Sequence, residues 1–204
     1  VIEPLLSDDA LLADVRSCRD GGRDGFRLWW LGQSGFLLQF GGCHLLFDPY
    51  LSDSLTKKYS GTAKPHVRMS RRVVDPTRLA FVDVVTSSHA HTDHLDPETL
   101  EPLFSKPDPN EGDIRFVMPE AIIRLASVRC GGGKPVLCPV AVDEPAGVRW
   151  FDIFAVPAAH DQLDTDEKGR HLYLGYVVKF DRFCVYHSGD TVVYDGMVDW
   201  VRTL

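Results

Sequence analysis

Hydrophobic positions along this chain switch between helical spacing and short strand-like runs. Residues 7–19 read as a helix, capped by Ser7 or Asp8 and closed by Gly21-Gly22. The period then shortens. Phe26–Leu31, Phe36–Phe40 and Cys43–Phe47 are apolar-rich segments separated by Gly32-Gln33-Ser34-Gly35 and by Gly41-Gly42, and the second break predicts a β-hairpin. Asp48-Pro49 stops the third strand. Residues 51–78 are polar and lack a clear period, which predicts a long excursion of the kind that is often functional. Leu79–Thr86 is almost continuously apolar, as in a strand buried on both faces. Pro97 opens a short helix to Phe104, residues 114–118 form a strand, and Pro119 opens a helix to about Arg129. Further strands are expected at 136–140, 148–156, 172–180 and 182–187. Tyr194, Met197, Val198, Val201 and Leu204 return to helical spacing, with no Gly, Asn or Pro stop after them. Strands first, then strands alternating with helices, then strands again predict an α/β layered sandwich with mixed sheets in one domain, 1–204.

Composition narrows the class. A chain of 204 residues has enough core to fold without disulfides or metal. Its 44% apolar and 25% charged residues exclude collagen, coiled coil and wholesale disorder. No apolar run reaches the ~18 residues of a membrane helix, and Ser7-Asp8-Asp9 follows the start too soon for a secretory signal. The net charge of −7 argues against nucleic-acid binding over the whole surface. Five cysteines without a Cys-x-x-Cys pair indicate a reduced, cytoplasmic protein. Cys43 and Cys184 sit in strand-like runs and read as buried, inert thiols. Homo-oligomerisation is left open.

One stretch changes the picture. Ser87-Ser88-His89-Ala90-His91-Thr92-Asp93-His94-Leu95-Asp96 directly follows the apolar run and places three His and one Asp in six positions, in a chain with eight His. Imidazole and carboxylate are ligands that borderline divalent ions such as zinc prefer. His89 and His91 share one side if extended geometry continues, whereas Asp93 and His94 lie past the turn and address a second point. His160 ends a later strand, and Asp190 follows Ser188-Gly189 at the end of another. Alone, His160 reads equally as a satisfied polar residue, and Ser-Gly-Asp-Thr as common turn composition. With the cluster, His89, His91 and His160 make a three-imidazole site with an open position. Asp93, His94 and Asp190 then begin a second site, with Asp190 bridging. Asp93 has a further role in this reading: it orients the attacking hydroxide and takes its proton. Asp48 reads either as an acceptor holding a ligand His or as a strand-end cap.

His-x-His-x-Asp-His, a lone His after a strand and Ser-Gly-Asp-Thr together resemble the metallo-β-lactamase superfamily. Trp29-Trp30-Leu31-Gly32, Asp48-Pro49 and Tyr186-His187-Ser188-Gly189-Asp190 resemble its branch of L-ascorbate-6-phosphate lactonase-like hydrolases. The resemblance covers about residues 26–195. It implies an αββα four-layer sandwich with two divalent ions, Zn or Mn, at one edge of its two sheets. It also implies a metal-bound hydroxide that cleaves a small ester or lactone, with or without a phosphate, and so a small-molecule substrate that can be anionic. The family usually supplies one more His after the bridging Asp. None follows Asp190 here, so the expectation is a chain that lacks the C-terminal part of the fold.

Residues 57–78 hold Lys57, Lys58, Lys64, Arg68, Arg71, Arg72 and Arg78 against Asp75 alone. This basic loop reads as a clamp for an anionic substrate or as a solvated face. His44 reads as packing, His66 as a surface residue able to approach a substrate, and His187 as a neighbour of the ligand Asp190. Two other functions stay in view: a phosphodiesterase of RNA or phospholipid type in the same superfamily, and a non-catalytic metal-binding relative. The acidic charge weighs against RNA, and the lack of an amphipathic membrane helix weighs against a lipid enzyme and a membrane partner.

Overall fold

Alternation along the strands sorts the core into two layers, because successive side chains on a strand face opposite ways. In the computed structural model, which describes residues 1–18, 24–105, 113–142 and 144–204, ten strands form two sheets among these residues. Strands β1 (Arg27–Gly32), β2 (Gly35–Phe40) and β3 (Cys43–Phe47) run antiparallel. Strands β4 (Val84–Thr86), β5 (Arg115–Pro119) and β6 (Val136–Val140) then extend the sheet from β3 in parallel. The second sheet is wholly antiparallel, in the order β10-β9-β8-β7. Its strands are β7 (Ala146–Val148), β8 (Phe151–Pro157), β9 (Leu174–Phe180) and β10 (Phe183–His187).

On the first sheet, Leu37, Leu46, Val85, Phe116 and Met118 point outward into a core shared with helices α1 (Asp8–Ser17), α3 (Pro97–Ser105) and α4 (Ile123–Arg129). Their strand neighbours Leu38, Leu45, Val84 and Val117 point inward, where Phe151, Ile153, Tyr176 and Val178 of the second sheet meet them. Each such fully buried side chain contributes roughly 1.5–3 kcal/mol. Packing of these two faces, rather than the propensity of helices this short, therefore holds the fold. Helix α5 (Met197–Thr203) lies against β8 and completes the sequence helix, sheet, sheet, helix. Among the described residues no helix is long and apolar enough to cross a membrane.

Several expectations are corrected. The excursion over 51–78 contains helix α2 (Ser54–Tyr59) and a 3-10 turn, Pro76–Leu79, that Asp75 caps by accepting from the Thr77 amide at 3.0 Å. The apolar run 79–86 is therefore a strand only over Val84–Thr86, because its first residue ends that capped turn. The strand expected at 148–156 is two strands. Arg149, at a φ of +59°, turns the chain between β7 and β8. Cys184 is exposed and Cys43 half-buried, because β10 is an edge strand and Cys184 faces away from the core. The helix stop expected at Gly21-Gly22 lies outside the described residues. Trp29 packs on the core and donates to Asp14 Oδ2 at 2.8 Å, whereas its strand neighbour Trp30 is exposed.

Candidate metal centre

The polar residues that follow β4 are buried in sequence. Ser87, Ser88, His89, His94 and Asp96 are each no more than 1% exposed. Buried polar groups need partners, and a single carboxylate supplies many of them. Asp48 ends β3 at a φ of +37°, a left-handed conformation costing roughly 1–3 kcal/mol for a non-glycine residue. Its Oδ1 accepts from the Thr86 hydroxyl at 2.9 Å and the Ser88 amide at 3.1 Å. Its Oδ2 meets the Ser88 hydroxyl, His94 Nδ1 at 2.7 Å and His187 Nε2 at 3.3 Å. Burial works to raise the Asp48 pKa, but His187 and His94 outweigh it and hold the carboxyl well below its ordinary value. Of the two sequence readings for Asp48, the structure supports the acceptor that orients a histidine.

With Nδ1 held by Asp48, His94 turns Nε2 toward Asp190 Oδ1, 3.2 Å away. Burial acts to depress His94, yet hydrogen bonds to Asp190 and Asp48 raise its pKa to about 10. His89 goes the other way. Burial and then the charge of His94 push it down to about 3. Burial and neighbouring His160 also lower His91. Asp190 is held down first by its hydrogen bond from His94.

Three long-range bonds bring Asp190 to the histidines. Val192 N donates to Ala159 O at 2.7 Å, Ala159 N donates to Thr191 Oγ1 at 2.9 Å, and the Tyr194 hydroxyl donates to Pro157 O at 2.6 Å. They fasten the turn after β10 to the end of β8, which carries His160. Gly189 makes the turn possible. It sits at a φ of +57°, and a Cβ there would lie 2.7 Å from Ser88 Cβ.

Five of the six ligand candidates close into two triads that share one carboxylate. Donor atoms of His91, His160 and Asp190 lie within 4.8 Å of one another, and so do those of His89, His94 and Asp190. The division differs from the sequence expectation in that His89 falls with His94, although its ring centroid is still 4.6 Å from that of His91. Asp93 stands beside the second triad rather than within it, its Oδ2 3.9 Å from His94 Nε2. A divalent ion fits these donors. His89 Nε2 is buried without a hydrogen-bond partner, which leaves a neutral imidazole nitrogen free to ligate. Histidines with neighbouring carboxylates are also the donor set zinc and manganese accept.

Sequence reasoning missed two residues here. The Tyr173 ring lies 5.0, 5.8 and 5.4 Å from the rings of His89, His91 and His160, and so walls the site. Ser34, in the β1–β2 turn, brings Oγ to 3.5 Å from His94 Nε2. Neither carries a local signal, because both reach the site from other elements. The basic loop is largely committed elsewhere. Lys57 pairs with Glu98 at 2.6 Å, Arg71 with Glu3 at 3.1 Å, and Arg78 with Asp8 at 3.7 Å and with Asp9. Arg68 donates to the carbonyls of Ser70, Ser52 and Tyr50.

Comparison with known proteins agrees with this geometry. A family model described as a beta-lactamase superfamily domain matches residues 27–195. A "UPF0173 metal-dependent hydrolase" of Opitutus terrae is 32% identical over 176 residues, covering 84% of this chain and 65% of that protein. A "Probable L-ascorbate-6-phosphate lactonase UlaG" of Escherichia coli is 24% identical over 194 residues, covering 81% of this chain and 54% of that protein. The chain thus spans less than two thirds of the length of either relative. Among solved structures, an isothiocyanate hydrolase from Delia radicum gut bacteria superposes with a TM-score of 0.61 at 23% identity, over 86% of this chain and 66% of that one, a likeness of fold. The family match across most of the chain, on a helix–sheet–sheet–helix frame, places this protein in the metallo-β-lactamase superfamily.

Proposed function

We propose that this chain carries the centre of a metal-dependent hydrolase that opens a small ester or lactone, with or without a phosphate, on two divalent ions, Zn or Mn. The observation that carries this reading is the pair of triads sharing Asp190, with the buried nitrogen of His89 left unpartnered. His91, His160 and Asp190 would hold one ion, and His89, His94 and Asp190 the other, with His94 giving up the Nε2 proton it otherwise shares with Asp190, since a ligating nitrogen carries none. Bound ions of this kind supply Lewis acidity and bring the pKa of water from ~15.7 toward ~7.

The chain's own residues do the rest. Asp48 fixes the His94 ring so that Nε2 faces the shared carboxylate. Asp93, 3.9 Å from that nitrogen with its side chain 30% exposed, would accept a proton from the attacking water. The Tyr173 ring lies against those of His89 and His160 and would border a substrate bound there. Lys57, Arg68, Arg71 and Arg78 are engaged in contacts within the chain, which weighs against a clamp built from the whole basic loop. The relative named as a probable L-ascorbate-6-phosphate lactonase, matched over 81% of this chain, supports the lactone, and one named as an N-acyl-phosphatidylethanolamine-hydrolyzing phospholipase D, 36% identical over 39% of this chain, supports the phosphodiester alternative. All five cysteines are free thiols, in keeping with a reducing compartment such as the cytoplasm.

The test is an assay of the zinc- and manganese-loaded protein on L-ascorbate 6-phosphate, γ-butyrolactone, p-nitrophenyl acetate and bis-p-nitrophenyl phosphate, with His91→Ala as control. Lactone or ester turnover lost in His91→Ala is expected. Turnover of the phosphodiester alone would replace this reading with the phosphodiesterase, and no turnover of any substrate by loaded protein would favour the non-catalytic relative.

A further inference from the structure

The metal-binding loop is held from two sides. From the inner side Asp48 and Ser88 engage His94, and the Ser87 hydroxyl donates to His89 O at 3.0 Å. From the other side it is held by a residue 34 and 39 positions away in sequence. Arg129, last residue of α4, donates from Nη1 to Leu95 O at 2.9 Å and to Ala90 O at 2.7 Å. Those two carbonyls bracket His91, Thr92, Asp93 and His94. Between them the chain closes one tight turn, in which the amides of His94 and Leu95 both donate to His91 O, at 3.1 and 2.8 Å.

We propose that Arg129 is a positioning residue that clamps the two ends of this turn and so sets the spacing of His91, Asp93 and His94. The inference rests on the reading of the loop as a metal site. Its physical basis is the guanidinium itself. It presents several N–H donors in a fixed planar fork, so one nitrogen can serve two carbonyls at once. The side chain is half-buried, where charge-assisted bonds to carbonyls are stronger than in water. Half-burial lowers the Arg129 pKa and the nearby Asp96 works against that shift. Arginine stays charged throughout the working range. Asp96 also caps α3, accepting from the Glu98 amide at 3.3 Å and the Ser54 hydroxyl at 2.9 Å, so the residue after the turn is fixed as well. The loop cannot breathe outward without breaking the Arg129 contacts.

The test uses Arg129→Met and Arg129→Lys, with Phe104→Leu as a control that loosens the same helical layer without touching the loop. Zinc affinity is read by competition with a chromophoric chelator, and amide exchange of His94 and Leu95 is read in the metal-free protein. The clamp predicts that Arg129→Met weakens zinc binding about 10–100-fold, the range found when partners behind metal ligands are removed. It also predicts faster exchange at both amides, an intermediate Arg129→Lys and an unchanged affinity in Phe104→Leu. Zinc affinity unchanged in Arg129→Met, or an equal loss in Phe104→Leu, overturns it. If the wild-type chain takes up no zinc, the hydrolase reading fails separately, and the exchange rates alone decide the clamp: unchanged rates refute it. Should Arg129→Met not fold, Arg129→Lys carries the same comparison.

Discussion

At the scale of the residue, Asp48 is the group on which most others depend. It is fully buried, and its contacts offset both its own desolvation and a left-handed backbone. Replacing it by Asn keeps the shape and removes the charge that orients His94. Breaking a buried charge network in this way costs about 3–5 kcal/mol. In a chain of this size each kcal/mol moves Tm by roughly 2–4 °C. Asp48→Asn should therefore lower Tm by about 6–20 °C in the presence of a chelator, and thermal unfolding by circular dichroism checks it. A wild-type Tm would show that the network does not hold the site. The histidines were legible in sequence because their signal is local: three in six positions need no fold to be noticed. Asp48 was legible only as one of two alternatives, since the bond to His94 spans 46 positions. Arg129 and Tyr173 were not legible as site residues at all. An arginine at a helix end and a tyrosine before a strand are ordinary, and only the fold shows what they touch.

At the scale of the element, the strands were read well because alternating and continuous apolar runs report burial directly. The reading failed where burial and strand geometry part company. Leu79 and Val82 are buried without being in a strand, since the 3-10 turn that ends at Leu79 already brings the chain into the core. The turn after β10 is the element on which the site depends most. Ser188-Gly189-Asp190 is common turn composition, but here the glycine alone tolerates both the positive φ and the approach of Ser88. Gly189→Ala should cost at least ~1–3 kcal/mol in backbone strain, with a steric term from the Ser88 contact added. Because Asp190 is the next residue, zinc affinity should fall with Tm. Thermal unfolding beside a chelator competition checks both. Lower stability with undiminished affinity would mean that the turn can shift without moving its carboxylate.

At the scale of the whole molecule, two cores share one sheet, and the site forms where the ends of that sheet and its partner meet. His89, His91 and His94 come from the loop after β4, His160 from the end of β8 and Asp190 from the end of β10. The site is therefore a product of stacking two sheets, and neither sheet alone contains a full triad. The sandwich itself was legible from the order of strands and helices. The allocation of ligands between two points was not, because it depends on where two distant strand ends stop.

Sharing of Asp190 by two ion sites would fix the metal stoichiometry of the chain, which elemental analysis of the protein saturated with zinc and freed of excess metal reads out. Wild type should retain two ions per chain, His160→Ala and His94→Ala one each, and Asp190→Ala fewer than either. Wild type holding no ion at saturation, or Asp190→Ala holding as many as wild type, would mean that Asp190 does not join two ion sites.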